Sequence, residues 1–273
     1  MLKELRTHEG NSSPFFTKAH EICEYRNFIK ALVARNLLGR YKNSYLGFLW
    51  NFITPMIYLI LCYVMFTEFQ ANNVDNYFLF LASGIFMFNM LTGAITNGGT
   101  LFTSNSNFIK KMYFPKELLA ISSAISSTII CVAGYIIVLF VAIISRWAIN
   151  PVSFLVVPFL IVIAFFFQMG CSFLLGSVTV YVRDLQYFLS SLSIVFFICT
   201  PIRVPVSESS GMLSLIYSLN PLTYFVEAAH QAIYYSSVPD ITVLIITVLI
   251  SAFTFFVGYF VFLKLKRGFV ERM

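Results

Sequence analysis

Six stretches of the chain are almost unbroken in apolar residues and are separated by short polar or charged connections: Leu46–Thr67, Tyr77–Gly99, Leu118–Ser145, Ser153–Val180, Gln186–Ile202 and Ile241–Leu263. A helix rises about 1.5 Å per residue, so roughly 20 such residues cross a hydrocarbon layer about 30 Å thick. The stretches are apolar on every face, and length rather than periodicity marks them as spans. The fifth is the shortest, and Pro201 near its end predicts a break or tilt. Alternating segments of about ten residues, the mark of a barrel, do not occur. The pattern predicts an all-α integral membrane protein with six transmembrane helices.

Three segments between the runs carry a different pattern. Over residues 20–42, Ile22, Tyr25, Phe28, Ile29, Leu32 and Val33 recur at helical spacing opposite Glu24, Arg26, Asn27, Lys30 and Arg35, which predicts an amphipathic helix at the membrane surface. It serves either as an interfacial anchor or as a docking element, and both roles are compatible. Thr103 to Leu119 predicts a short helix around Asn105–Met112, stopped by Pro115, which then opens the third span. Phe108, Ile109, Met112, Tyr113 and Phe114 beside Lys110, Lys111 and Lys116 predict an exposed contact surface for a protein or a membrane. The third segment, Ser210 to Tyr235, is rich in Leu, Ile, Tyr and Phe and is divided by Asn220-Pro221, as an Asn-Pro turn would divide it. Neither half can span. The pair is expected to dip into the outer leaflet and return as re-entrant half-helices. Such backbone persists at membrane depth only against protein or a water-filled cavity, so the region 203–240 is a candidate outer gate. Its candidate residues are Tyr217, Asn220, Pro221, Tyr224, Glu227 and His230. The chain thus divides into an N-terminal segment, 1–45, and a six-span domain, 46–273.

Composition agrees: 59% of residues are hydrophobic and 11% charged, against roughly 25% charged in soluble domains. A soluble enzyme or a nucleic-acid-binding module is excluded. The net charge of +6 is informative through its distribution. Lys3, Arg6, Lys18, Arg26, Lys30, Arg35, Arg40 and Lys42 precede the first run, which is then the expected insertion signal, with no cleavable signal peptide ahead of it. Lys110, Lys111 and Lys116 follow the second, Arg183 the fourth, and Lys264, Lys266, Arg267 and Arg272 the sixth. The alternate connections hold only Arg146 and Arg203. By the positive-inside rule both termini are expected in the cytoplasm. Cys23, Cys62, Cys131, Cys171 and Cys199 show neither CxxC nor metal-ligand spacing and read as small apolar residues.

No Walker, HExxH, GxSxG or aspartate-rich metal pattern occurs, and no metal site is expected. Glu227 and His230 are three apart, where a helix would set them on one face. An acid–base pair is conceivable there, and a polar face at a lipid interface explains them more simply. The cores of the six runs contain no Asp, Glu, Lys, Arg or His, which weakens an ion- or proton-coupled pathway. Energy for uphill transport would come from another chain. Polar stripes remain: Asn51, Thr54, Tyr58 and Cys62 on the first span, Phe86, Asn89, Gly93 and Asn97 on the second, Gln186, Ser190, Ser193 and Phe197 on the fifth. They serve either interhelical packing or a conduit whose amides, hydroxyls and rings suit a sugar. Candidate lining residues are Asn51, Thr54, Tyr58, Phe86, Asn89, Ser190, Ser193 and Phe197. Ala120, Ser123, Ala124 and Ser127 on the third span read as small-residue packing alone.

The run Arg40-Tyr41-Lys42-Asn43-Ser44-Tyr45-Leu46-Gly47-Phe48-Leu49-Trp50, with Pro55 after it, resembles the RYK-S-LG-LW…P start of ABC-2-type permeases that export bacterial surface polysaccharides. Lys111-Met112-Tyr113-Phe114-Pro115 resembles their K-x-x-F-P loop and Val182-Arg183-Asp184 their RD turn, and Thr200-Pro201 and Asn220-Pro221 follow in the same order. The resemblance runs from about Tyr25 onward. One departure is His230-Gln231, where relatives often carry an arginine. The resemblance implies a homodimeric permease in the bacterial inner membrane that moves a lipid-linked glycan (O antigen, capsule or teichoic acid). A separate ATPase subunit would bind ATP and Mg, and this chain would hold no cofactor. Docking to that subunit would fall to Arg26, Arg35, Asn105, Phe108, Ile109, Lys110, Lys111, Tyr113, Phe114 and Pro115. An ABC-2 exporter of a drug or lipid, or an ATPase-independent channel or carrier, is the alternative.

Overall fold

Proline and glycine punctuate this chain more sharply than its polar residues do. The computed structural model describes residues 25–39, 45–70, 75–148 and 150–272, and every regular element among them is helical. α1 (Arg26–Leu38) is the core of the amphipathic segment; its flanks at 20–24 and 40–42 lie outside the described residues. A single 3-10 turn, Gly47–Leu49, leads into α2 (Trp50–Gln70), which contains Pro55. α3 (Tyr77–Gly99) matches its expected bounds, and α4 (Leu101–Ser104) and α5 (Ser106–Lys111) follow as two short turns. α6 (Glu117–Ile144) starts two residues after Pro115, whose carbonyl accepts from Leu118 N–H at 3.1 Å. α7 (Pro151–Phe154) is capped by Asn150, whose side chain accepts from Val152 N–H at 3.0 Å, and continues into α8 (Val156–Tyr181).

The fifth run falls short of its expected length. α9 (Leu185–Ile198) ends four residues early. The residue before a proline is pushed away from helical backbone, so Thr200-Pro201 turns the chain instead, with Ile202 N–H donating to Thr200 O at 2.8 Å. At 1.5 Å per residue α9 runs about 21 Å, less than the hydrocarbon thickness. Among the described residues, four helical segments are long and apolar enough to cross a membrane: Tyr77–Gly99, Glu117–Ile144, Pro151–Tyr181 and Ile241–Arg272. Phe52–Val64 and Leu185–Ile198 are shorter apolar helices. After α9 come α10 (Met212–Leu219), α11 (Pro221–Ile233), α12 (Ile241–Leu265) and α13 (Phe269–Arg272).

α3 is the central post, covered by α2, α6, α8, α9 and α11, with Leu79, Phe80, Met87, Leu91 and Ala94 wholly enclosed. α12 lies outermost against α8, and their crossing is possible only because Gly170 meets Gly258. A Cβ on either would fall among backbone atoms of the other helix. Close approach through small residues is how helices associate where no water drives them together. The apolar interior forms two clusters. The larger surrounds the middle of α3 and α11. The smaller joins α1, α4, α5 and the start of α6 to Phe173, Phe262 and Phe269. One end of the bundle carries α5 and the other α11.

Candidate functional site

The second-span stripe lands on one side of α3, as residues three and four apart must. Phe86, Asn89, Gly93 and Asn97 face a groove of about 440 Å³ bounded by α2, α3, α6 and α9. Thr54 and Pro55 close it from α2, Ser193, Ile194 and Phe197 from α9, and Ser127, Ile130 and Cys131 from α6. Five expected lining residues therefore meet: Thr54, Phe86, Asn89, Ser193 and Phe197. The side chains of Asn51 and Tyr58 lie outside the described residues. Ser190 is exposed, is not among the residues that line the groove, and donates to Gln186 O at 2.9 Å. Ser127 is a correction. It was expected to pack, and it lines the groove, whereas Ala120 and Ala124 are buried as expected.

The groove carries no ionised group among its lining residues. Thr92 and Ser193 give their protons to the carbonyls of Phe88 (2.9 Å) and Ser190 (2.7 Å), so their lone pairs are what they offer a guest. Phe88 and Phe197 meet edge to face at 5.7 Å, and the Arg203 guanidinium lies 5.2 Å from the Phe197 ring centre. Hydroxyl, amide and ring surfaces together accept a molecule with both oxygens and C–H faces.

At the α5 end the chain builds a knob. Arg35 of α1 donates to Asn105 Oδ1 at 2.6 Å and lies 4.6 Å from the Phe108 ring centre; burial lowers its pKa. Asn105 is itself buried and donates to Leu101 O at 2.8 Å. Phe108, Lys110, Lys111, Met112 and Tyr113 are exposed, Tyr113 by 73%. The expectation that Ile109 and Phe114 are exposed too is corrected: they retain 5% and 9% of their surface. Both turn inward to the smaller cluster, where the Phe114 and Phe28 rings meet at 5.2 Å. Pro115 is half-buried, and Arg26 is exposed in the first turn of α1.

The α11 end is organised by Asn220. Its side chain caps α11 by accepting from Leu222 N–H (3.0 Å) and donates to Cys199 O and Thr200 Oγ1 (both 2.8 Å), while Pro221 fills the first helical position. Tyr217 is buried and Tyr224 Oη donates to Ser218 O at 2.9 Å. Glu227 and His230 form no acid–base pair, and the simpler expectation of one polar face at a lipid interface is corrected, because His230 is wholly enclosed. Glu227, its pKa raised by burial, accepts from Gln231 at 3.2 Å. His230 is enclosed against Phe80 with ring centres 4.1 Å apart, and neither ring nitrogen has a hydrogen-bond partner. Among the described residues no three His, Cys, Asp and Glu side chains gather to hold a metal ion.

The family model described as "ABC-2 type transporter" matches residues 27–234, well over half of the chain. The chain belongs to this family. Along 256 residues it is 26% identical to the O-antigen export system permease protein RfbA of Myxococcus xanthus, covering 92% of this chain and 97% of that one. Two proteins of the same name from Klebsiella pneumoniae are 27% identical over 256 and 257 residues, covering 90% of this chain and 94% of theirs.

In this ABC-2 transporter chain, sequence reasoning missed the segment after the last long helix. Lys266 pairs with Glu117 at 3.0 Å, and Lys116 donates to Lys266 O at 3.0 Å. Tyr181 Oη donates to Leu265 O at 3.0 Å, and the enclosed Phe269 ring lies 5.0 Å from that of Phe102. The end of the ABC-2 chain thus braces the knob from beneath. The signal was present as Lys116-Glu117 directly after Pro115 and a cationic run at 264–267, two charged pieces with nothing in the sequence to say that they touch.

Proposed function

We propose that this chain is the transmembrane permease subunit of an ATP-driven exporter that moves a lipid-linked polysaccharide of the O-antigen, capsule or teichoic-acid kind across the bacterial plasma membrane. The observation that carries the reading is the uncharged groove of hydroxyls, amides and rings, on a chain whose relatives along nearly their whole length are named for O-antigen export. A sugar chain offers what such a lining takes: hydroxyls for its hydrogen bonds and C–H faces for its rings. α2 and α9, completed by their flanking residues, supply the first and fifth of six spans. α10 and α11 dip into the outer leaflet as the exit gate. The charge asymmetry of the connections supports an orientation with both termini and the α5 end in the cytoplasm.

In this reading two copies of the chain face each other across their grooves, and a separate subunit binds ATP and Mg. That subunit docks on the knob, where Phe108 and Tyr113 supply apolar contact and Lys110 and Lys111 supply charge. Arg35 and Asn105 hold the knob in place, and Ile109, Phe114 and Pro115 support it from behind. Arg26 extends the basic surface along α1. The test is reconstitution into vesicles with and without a co-expressed nucleotide-binding ATPase subunit. Inward movement of a fluorescently tagged lipid-linked oligosaccharide is expected only with that subunit and ATP. Phe108→Asp is expected to leave insertion and ATP hydrolysis intact and abolish movement. Uphill movement by this chain alone, or ATP-driven movement of an amphipathic dye but of no glycan, would overturn the reading.

A further inference from the structure

Serine hydroxyls inside helices usually give their proton to the carbonyl three or four residues back. Ser122 does so to Leu119 O (3.0 Å) and Ser126 to Ser122 O (2.7 Å). Ser127, one residue further along α6, departs from this habit. The amide nitrogen of Gln168 on α8 lies 2.7 Å from its Oγ and 3.5 Å from Ser123 O, the carbonyl that Ser127 would otherwise use. The orientation of the amide follows from its surroundings. A carbonyl can only accept, so the oxygen of the amide cannot face Ser123 O, and the NH2 group must. Ser127 Oγ therefore accepts from Gln168. Its own O–H is left to donate, and among the described residues it gives that proton to no protein group.

Two further observations bear on where the proton goes. Ser127 lines the groove beside Ile130 and Cys131, about 15 Å along α6 from its first residue. Gln168 is 1% exposed, and its Oε1 is buried without a partner. A leucine of similar size would leave no such orphan, so the amide is not there to satisfy the interior. What it does is hold Ser127.

We infer that Gln168 is a positioning residue that turns the Ser127 hydroxyl into the groove, as a fixed hydrogen-bond donor to an oxygen of the passing cargo. The inference rests on the export reading above and adds a selectivity to it. Thr92 and Ser193 offer lone pairs to cargo hydroxyls, whereas Ser127 offers a proton to hydroxyl, ether or amide-carbonyl oxygens. Cargo without such oxygens gains nothing from it.

The experiment uses the complete exporter, permease with ATPase subunit, in vesicles supplied with a fluorescently tagged lipid-linked oligosaccharide. Ser127→Ala removes one neutral hydrogen bond, and KM for the glycan is expected to rise roughly 5–10-fold. Gln168→Leu frees Ser123 O, so Ser127 turns back to it and the same rise follows. Gln168→Glu reverses the bond, with Ser127 donating to the carboxyl group, and is expected to match Gln168→Leu although its size is conserved. The double variant Ser127→Ala/Gln168→Leu rises no further than either single one, and Ser127→Thr stays near wild type. A wild-type KM in Gln168→Leu, or additive rises in the double variant, would overturn the inference while leaving glycan export standing. If the wild-type exporter moves no glycan, the export reading falls. A double-mutant cycle on unfolding in detergent then decides the rest: additive Ser127→Ala and Gln168→Leu effects would show that the two side chains are not coupled and would overturn the positioning role.

Discussion

The two ends of this bundle are fastened by different physics. At the α5 end the fastenings are made by charged side chains: Lys266 to Glu117, Lys116 to a backbone carbonyl, and Arg35 to Asn105 and over the Phe108 ring. At the α11 end they are mostly neutral. Asn220 ties α11 to the turn after α9, Tyr77 Oη donates to Arg203 O at 3.0 Å, and Trp147 stacks on Tyr234 while its indole N–H donates to Tyr234 O at 2.9 Å. In the proposed orientation the α5 end meets water and the ATPase subunit, where charged fastenings suffer little desolvation, and the α11 end dips into the outer leaflet, where each unpaired charge would cost several kcal/mol. The difference separates what salt can loosen from what it cannot.

The strongest test of that contrast is Asn220→Ala. It removes a helix cap and two hydrogen bonds at once, with Asn220 itself buried. A cap contributes about 1 kcal/mol, and each buried group left unpaired costs about 1 kcal/mol or more. A loss of about 3 kcal/mol is expected in denaturant titrations of the detergent-solubilised chain, with no change between low and high salt. A loss below about 1 kcal/mol, or one that salt alters, would mean that the α11 end is not held as described.

His230 gives the same end a pH response. Burial pushes its pKa down to about 3, while an unfolded histidine titrates near 6.5. Below pH 6.5 the unfolded chain takes up a proton that the native one refuses, so stability is flat above that pH and falls beneath it. The slope approaches about 1.4 kcal/mol per unit, or about 2 kcal/mol between pH 6.5 and 4.5. Glu227, whose pKa burial raises, acts in the opposite sense at lower pH, so the slope is cleanest near pH 6. His230→Leu should flatten it. A slope that survives the substitution would place the titrating group elsewhere.

How far these features could be read in advance depended on whether they were local. The bounds of the second run, the Asn220-Pro221 division and the face shared by Phe86, Asn89 and Gly93 follow from spacing and turn chemistry within one element, and each is found. Ser127 could not be assigned because its role depends on Gln168, 41 residues away on a helix whose contact with α6 the sequence does not announce. Ile109 and Phe114 read as exposed for the same reason: the helix that covers them, α1, is distant in sequence. Glu227 and His230 share a helix turn yet do not meet, because α3 claims the histidine. Periodicity reports a face; it does not report what lies across from it.

A smaller effect is expected from the Lys266–Glu117 pair, whose side chains keep 30% and 13% of their surface. Lys266→Met should cost about 0.5–1 kcal/mol at low ionic strength, in keeping with partly exposed ion pairs. The cost should fade toward zero as salt approaches 1 M and the screening length shrinks to about 3 Å. The same salt series on Asn220→Ala gives the contrast directly. If both variants, or neither, respond to salt, the two ends are not fastened by different means.

The smallest effects sharpen the comparison through backbone alone. Among the described residues, the non-glycine positions with positive φ are Asn76, Arg146 and Ser236, all in connections at the α11 end. The α5 end holds the reverse case in Gly39, a glycine in ordinary helical backbone at φ −66°, where a Cβ would meet only the Arg35 side chain at 3.5 Å. Left-handed backbone costs a side-chain-bearing residue about 1 kcal/mol, and a glycine where none is required forfeits about 0.4–1 kcal/mol through the unfolded chain. Arg146→Gly and Gly39→Ala are therefore both expected to stabilise, each by about 0.5 kcal/mol, although one introduces the residue that the other removes. The denaturation midpoint of each single variant reads the sign. Were Arg146→Gly destabilising, its φ of 53° would be held by contacts of the arginine worth more than the strain, and the tight reversals at the α11 end would have to be explained by those contacts instead.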